Sequence, residues 1–257
     1  MQQSNPGAPI ASQQRLSESR ADATESTWKT LYRVGGAAAL VMAVFIPIQT
    51  IVFILWPPPS TVVGWFTLFQ SSSLLGLLDM DLLLIVDQVL LALVLLALYA
   101  ALRGASPSSM TIALALGLVG TATYFASGSA FEMLTLSNQY AAATSDAERS
   151  TLLAAGQVML ANWQGTAFDV AYVLQGVALL IIAAVMLRSM LFGRVTAYVA
   201  VLLGVLALVP PTAGTIGLVF SLGSLVPLEI WDILIARRLF QLGSASVAAE
   251  SAASPST

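Results

Sequence analysis

The chain has 257 residues, of which 58% are hydrophobic and 9% charged, and its net charge is −3. Soluble proteins carry about a quarter of their residues as charges, so a soluble domain of this composition could not hydrate its own surface, and a bilayer must act as the solvent. Cysteine and histidine are absent, which excludes disulfides, thiolate and imidazole nucleophiles, and Cys- or His-ligated metal and haem centres. The acidic balance offers no surface for a phosphate backbone, so no nucleic acid partner is expected, and no motif calls for a cofactor.

Residues 1–27 are rich in Gln, Ser, Ala, Asp and Glu with few large apolar side chains, the composition of a disordered cytoplasmic tail. No apolar stretch precedes Lys29 and Arg33, so the first apolar run is a retained anchor rather than a signal peptide. A transmembrane domain is expected over 28–242, in six runs at 34–55, 82–102, 110–130, 168–187, 195–209 and 215–235. A hydrocarbon core about 30 Å thick needs about 20 helical residues, and only the fifth run falls short. Pro210 and Pro211 end that run and make 194–236 a hairpin, while Pro47 and Pro227 predict kinks in the first and sixth helices. Residues 243–257 read as a second disordered cytoplasmic tail.

Two connections are longer than a turn requires. In 57–73, Trp65, Phe66 and Phe69 read as interfacial anchors, with a lid over an outer cavity as the alternative. In the second, Ser145-Asp146-Ala147-Glu148 has capping-box spacing and predicts a short helix that carries Leu152, Leu153, Met159, Leu160 and Trp163 along the interface. The expected fold is therefore all-α: a polytopic bundle of six transmembrane helices with short interfacial helices in the two outer connections.

Charge orients this bundle, because Lys and Arg collect on cytoplasmic loops. Arg15, Arg20, Lys29, Arg33, Arg103, Arg188, Arg194, Arg237 and Arg238 fall on one side and Arg149 alone on the other, nine against one of the 10 basic residues. Both termini are then cytoplasmic, with the protein a multi-pass component of the plasma membrane. Small residues four apart (Gly35 and Ala39, Ala113 and Gly117, Gly117 and Thr121) predict close helix crossings. Asp81-x5-Asp87-Gln88 in the second run faintly parallels Asp169-x5-Gln175 in the fourth, as a parallel repeat of two-helix units would.

A carboxylate at the bilayer centre costs about 2.5–3.5 kcal/mol on insertion scales, so ionisable residues at depth are candidate functional groups. Counting about 1.5 Å per residue from the cytoplasmic ends, Gln49, Asp87, Gln88, Tyr124 and Gln175 share a level about 18–22 Å across. By the same count Asp169 lies at about 27 Å, Asp81 and Glu132 at about 31 Å, and Asp79 beyond them, hydrated at the surface. The expectation is an acidic mouth (Asp79, Asp81, Glu132, Asp169) above a polar floor (Gln49, Asp87, Gln88, Tyr124, Gln175), contributed by the first four helices and open to the outside. Glu229 and Asp232, about 9 and 4 Å from the inner edge, read as charge balance for Arg237 and Arg238.

The phrases LLDMDLLLIVDQVLLALVLLALYAALR (77–103), TAFDVAYVLQGVALL (166–180) and VPPTAGTIGLVFSL (209–222) resemble an uncharacterised family of bacterial six-helix membrane proteins, catalogued as domain of unknown function 4386, over roughly residues 30–240. The resemblance implies the fold and a membrane location and supplies no site or reaction. Three functions stay open. The first is binding or movement of a proton, cation or small cationic solute through the acidic vestibule, with the identity of any metal unknown. The second is a non-catalytic partner or sensor subunit, docked on another membrane protein or on a second copy of the chain. The third is an intramembrane lipid-modifying enzyme with Asp87 and Asp169 as acid and base, ranked last because no catalytic motif accompanies them.

Overall fold

The computed structural model describes residues 8–80 and 82–253, with side chains over 28–80 and 82–244. Apolar runs with few breakers become helices, and the described residues hold ten helices and no strand. They are α1 (Ala8–Leu55), α2 (Val62–Ser71), α3 (Ser73–Asp79), α4 (Leu82–Leu102), α5 (Pro107–Ser127), α6 (Ala130–Ala142), α7 (Asp146–Trp163), α8 (Thr166–Ser189), α9 (Arg194–Ala207) and α10 (Gly214–Ala253). Each of α1, α4, α5, α8 and α10 contains or supplies a stretch long and apolar enough to cross a membrane, and α9 is apolar but shorter. Pro47 and Pro227 lie inside α1 and α10, which continue through them. α1 and α10 also run into the segments expected to be tails; the side chains of 8–27 and 245–253, together with residues 1–7 and 254–257, lie outside the described residues.

The five long apolar helices and the shorter α9 pack as a closed ring, each against the next, in the order α1, α4, α5, α8, α9, α10 and back to α1. Their inner faces form one apolar core that includes Met42, Leu98, Ile182, Leu203 and Ile235. Their outer faces are apolar too: Ile54 is 70% exposed and Val226 68%. A helix apolar on all sides suits a lipid surround rather than water. Small residues set the crossings, as expected for Gly35 and Gly117: a Cβ on Gly35 would collide with Ala97, and one on Gly117 would come within 2.6 Å of Leu95. At a close crossing of α8 with α9, Gly176 faces Gly204, and a Cβ on either would stand 3.0 Å from the other's carbonyl oxygen.

The two long connections fold as helices and meet over one end of the ring. Trp65, Phe66, Phe69, Met80 and Met133 form a second core that joins α2, α3 and α6, with Trp163 of α7 packed against it. Trp65 and Trp163 meet edge to face at 5.4 Å, and the Ser137 hydroxyl donates to the Phe66 carbonyl at 2.9 Å. The three aromatic residues read as anchors are thus not at the protein's surface; each is 1% exposed, because α6 and α7 cover them. Half of the capping box forms: the N-cap Ser145 hydroxyl accepts from the Glu148 amide at 3.2 Å, while Glu148 reaches one residue further back and accepts from the Thr144 amide at 3.2 Å instead of the Ser145 amide. The third run ends three residues earlier than expected, at Ser127, where Gly128 leaves the helix before α6 begins. At the end of the ring opposite this cap, Arg103 stacks over Trp28 at 4.1 Å, and Gly243 packs against Lys29 and Arg33.

Candidate functional site

All six ring helices line a central cavity of 210 Å³. α4 supplies Asp87 and Gln88, α5 Tyr124, α8 Tyr172 and Gln175, and α10 Ser221, Ser224 and Trp231, among aliphatic walls that include Met42 of α1 and Leu203 of α9. A larger hollow of 860 Å³ lies between the cap and the ring, lined by Gln49, Trp65, Trp163 and Pro211 among others. Ile46, Tyr172, Ser224 and Leu228 border both spaces, so the cavity opens toward the capped end through this vestibule.

Asp87 is 7% exposed, and its Oδ1 has no hydrogen-bond partner. Its neighbour Gln88 is held in place: Gln175 Nε2 donates to Gln88 Oε1 at 2.6 Å, and the Thr121 hydroxyl donates to the same oxygen at 3.4 Å. Gln175, which the faint repeat aligns with Asp87, therefore meets the residue after it, Gln88, across the ring. Tyr124, Phe168 and Tyr172 stack in sequence, with ring centres 5.9 and 5.0 Å apart. Gln49, at the level of the vestibule, donates Nε2 to the Leu78 carbonyl at 3.0 Å, while its Oε1 is buried without a partner.

Four of the five floor residues converge on the cavity, with Gln49 set apart at the vestibule; the acidic mouth does not converge. Asp169 is half-buried, takes a short hydrogen bond from the Thr212 hydroxyl, and lines neither space. Glu132 is exposed and lines a separate depression between α6 and α7 with Thr135 and Val158. Asp81 lies outside the described residues. Asp79, expected to be hydrated at the surface, is fully buried in the α3 turn with both carboxylate oxygens unpartnered, because the cap folds over it. Burial pushes its carboxyl up to about 6 from an ordinary 3.8.

The contribution of α10 is larger than the sequence suggested. Asp232 is fully buried with both carboxylate oxygens unpartnered, and it lies within electrostatic range of Asp87 and Glu229. The arginines expected to balance it are engaged elsewhere or exposed: Arg238 donates to the Leu191 carbonyl at 2.6 Å and to Gln241 at 3.1 Å, and Arg237 faces outward. The depth count placed the inner edge near residue 235, whereas α10 runs on until Gly243 packs beside Lys29 and Arg33. Asp232 is eleven residues before Gly243, about 16 Å at 1.5 Å each, and so sits deep in the ring. Ser221, Ser224, Leu228 and Trp231, spaced three, four and three apart, form the one stripe in the sequence that could have marked the lining face of α10.

This arrangement can hold one positive charge beside Asp87 while aromatic and aliphatic walls surround the rest of a ligand. Asp87 and Asp169, the acid and base of the enzyme reading, do not line a common cavity. No protein-family model matches the chain, and no curated protein or solved structure matches it.

Proposed function

We propose that the chain is a six-crossing plasma-membrane protein, with both termini cytoplasmic and the helical cap outside, that binds and moves a small cationic solute through its central cavity. The observation that carries this reading is the Asp87 carboxylate: buried, facing a cavity, and without a hydrogen-bond donor for one of its oxygens. An unpaired charge in a low-dielectric interior is costly by several kcal/mol, so the group must take up either a proton or a cation. The lining favours an organic monocation. A hard metal ion needs about six or more converging oxygen ligands or several retained waters, whereas here one carboxylate and two amides that bond each other share the walls with four hydroxyls spread over α5, α8 and α10, among aromatic and aliphatic side chains. The cavity's 210 Å³ matches the volume of about seven water molecules at about 30 Å³ each, room for a substituted ammonium. We further propose, on the resemblance of residues 77–103, 166–180 and 209–222 alone, that the chain belongs with the family catalogued as domain of unknown function 4386, which would imply the same location and adds no substrate.

The test is thermal unfolding of the purified chain in detergent with tetramethylammonium, tetraethylammonium, sodium, potassium, magnesium or calcium chloride, from pH 5 to 9. A substituted ammonium at a hundred times its dissociation constant stabilises the folded state by about 2.7 kcal/mol, so wild type should melt several degrees higher with it and Asp87→Asn should not. A pH response removed by Asp87→Asn, with no cation response, would mark the proton as the ligand. Identical behaviour of wild type and Asp87→Asn under every condition would overturn the proposal in favour of a partner or sensor subunit.

A further inference from the structure

The end of the ring opposite the cap carries a second hollow, of 440 Å³, between the 190–193 turn that joins α8 to α9 and the adjacent face of α10. Arg194, Arg237 and Arg238 line it and no acidic residue does, so three positive charges from two elements converge with no counter-charge among them. Arg238 is fixed as a wall by its bonds to the Leu191 carbonyl and Gln241. Arg194 and Arg237 are exposed, leaving their guanidinium forks available. Arg194 opens α9, whose N-cap Gly193 offers no side-chain acceptor, so the first-turn amides add to the positive field. The rim is apolar: Met190, 78% exposed, closes α8 in the left-handed region at φ 54°, and Leu234 stands near it.

We infer that this hollow binds the phosphate of an anionic phospholipid headgroup, with the acyl chains lying against Met190 and Leu234. A guanidinium fork matches phosphate oxygens two by two, and a basic pocket between membrane helices near a leaflet surface is where an anionic headgroup gains most. The inference needs the chain to lie in a bilayer but not the cavity to bind a solute; Asp87→Asn should leave it untouched, so the two readings fail separately.

The test compares the full chain in nanodiscs of phosphatidylcholine alone with nanodiscs that also contain phosphatidylglycerol. Phosphatidylglycerol should raise the melting temperature of wild type by several degrees; R194Q/R237Q should lose most of that shift, and R149Q, at the capped end, should keep it. R194K/R237K, which retains charge but not the fork, should keep part. Inorganic phosphate added to phosphatidylcholine nanodiscs should not reproduce the shift; if it does in full, the site takes a soluble anion and the lipid assignment is overturned. An undiminished shift in R194Q/R237Q overturns the site itself. Should that pair fail to fold, phosphatidylglycerol co-purified with the single variants R194Q and R237Q decides: a fall below wild type supports the site, and wild-type amounts overturn it.

Discussion

A carboxylate enclosed without donors is tolerated best when neutral, and Asp79 shows the consequence outside the membrane-crossing stretches. With its folded pKa near 6 against 3.8 for an exposed aspartate, the folded chain holds the proton more tightly than the unfolded one. Its stabilising contribution is therefore complete below about pH 4 and is lost as pH rises through about 6. The expected loss is about 1–2 kcal/mol once solvent screening is allowed for. Asp79→Asn keeps the shape without the charge, so it should flatten this dependence and raise the melting temperature at neutral pH. Unfolding curves between pH 4 and 8 check both; a variant curve parallel to wild type would contradict the burial. The acidity of 79–81 was plain in the sequence, but the burial of Asp79 arises from the packing of α3 against elements such as α1 and α6, contacts between residues far apart in the chain.

At the scale of elements, close backbone approach does most of the positioning. Gly176 and Gly204 let α8 and α9 touch, and any side chain at either must push the helices apart. Gly176→Leu should cost about 2–3 kcal/mol through overpacking and widen the cavity wall. Gly104→Ala, where nothing lies within 4 Å, should be neutral or stabilise by up to about 1 kcal/mol. Melting temperatures of the two variants in the same detergent make the comparison. α9 itself has 14 residues, about 21 Å at 1.5 Å each, and ends at Ala207, two residues before the stop expected from Pro210 and Pro211. That shortness and the α7 cap were legible because both depend on residues adjacent in sequence. The lining face of α10 was not, since a helix apolar all round gives no signal of its rotation.

For the whole molecule, the ring places every basic residue with a described side chain except Arg149 at one end and the cap at the other. The positive-inside rule then orients the proposed six crossings. The chain has no cysteine, so single cysteines report accessibility without background. An impermeant thiol reagent on intact cells should label Ser60→Cys and Ser145→Cys but neither Ser106→Cys nor Ser246→Cys. Thr212→Cys, beyond the short α9, should label as an outer position. Labelling of Ser106→Cys from outside would invert the topology.

Composition and hydropathy alone determined that the chain is helical and suited to lipid and roughly where each long helix lies; depth was legible for Asp87, Gln88, Tyr124 and Gln175, which line one cavity, but not for Asp232, whose helix runs past the expected inner edge. These are properties of single segments, read from length, charge and periodicity along one axis. Which residues face each other was decided only by the tertiary structure: that six helices and not four surround the cavity, that Gln88 meets Gln175, that Asp232 lies near Asp87, and that Asp169 and Glu132 stand apart from it. The reason is geometric, because depth follows from counting residues at a constant rise, while facing depends on the rotation of each helix, and that is set by the small residues at its crossings with helices distant in sequence.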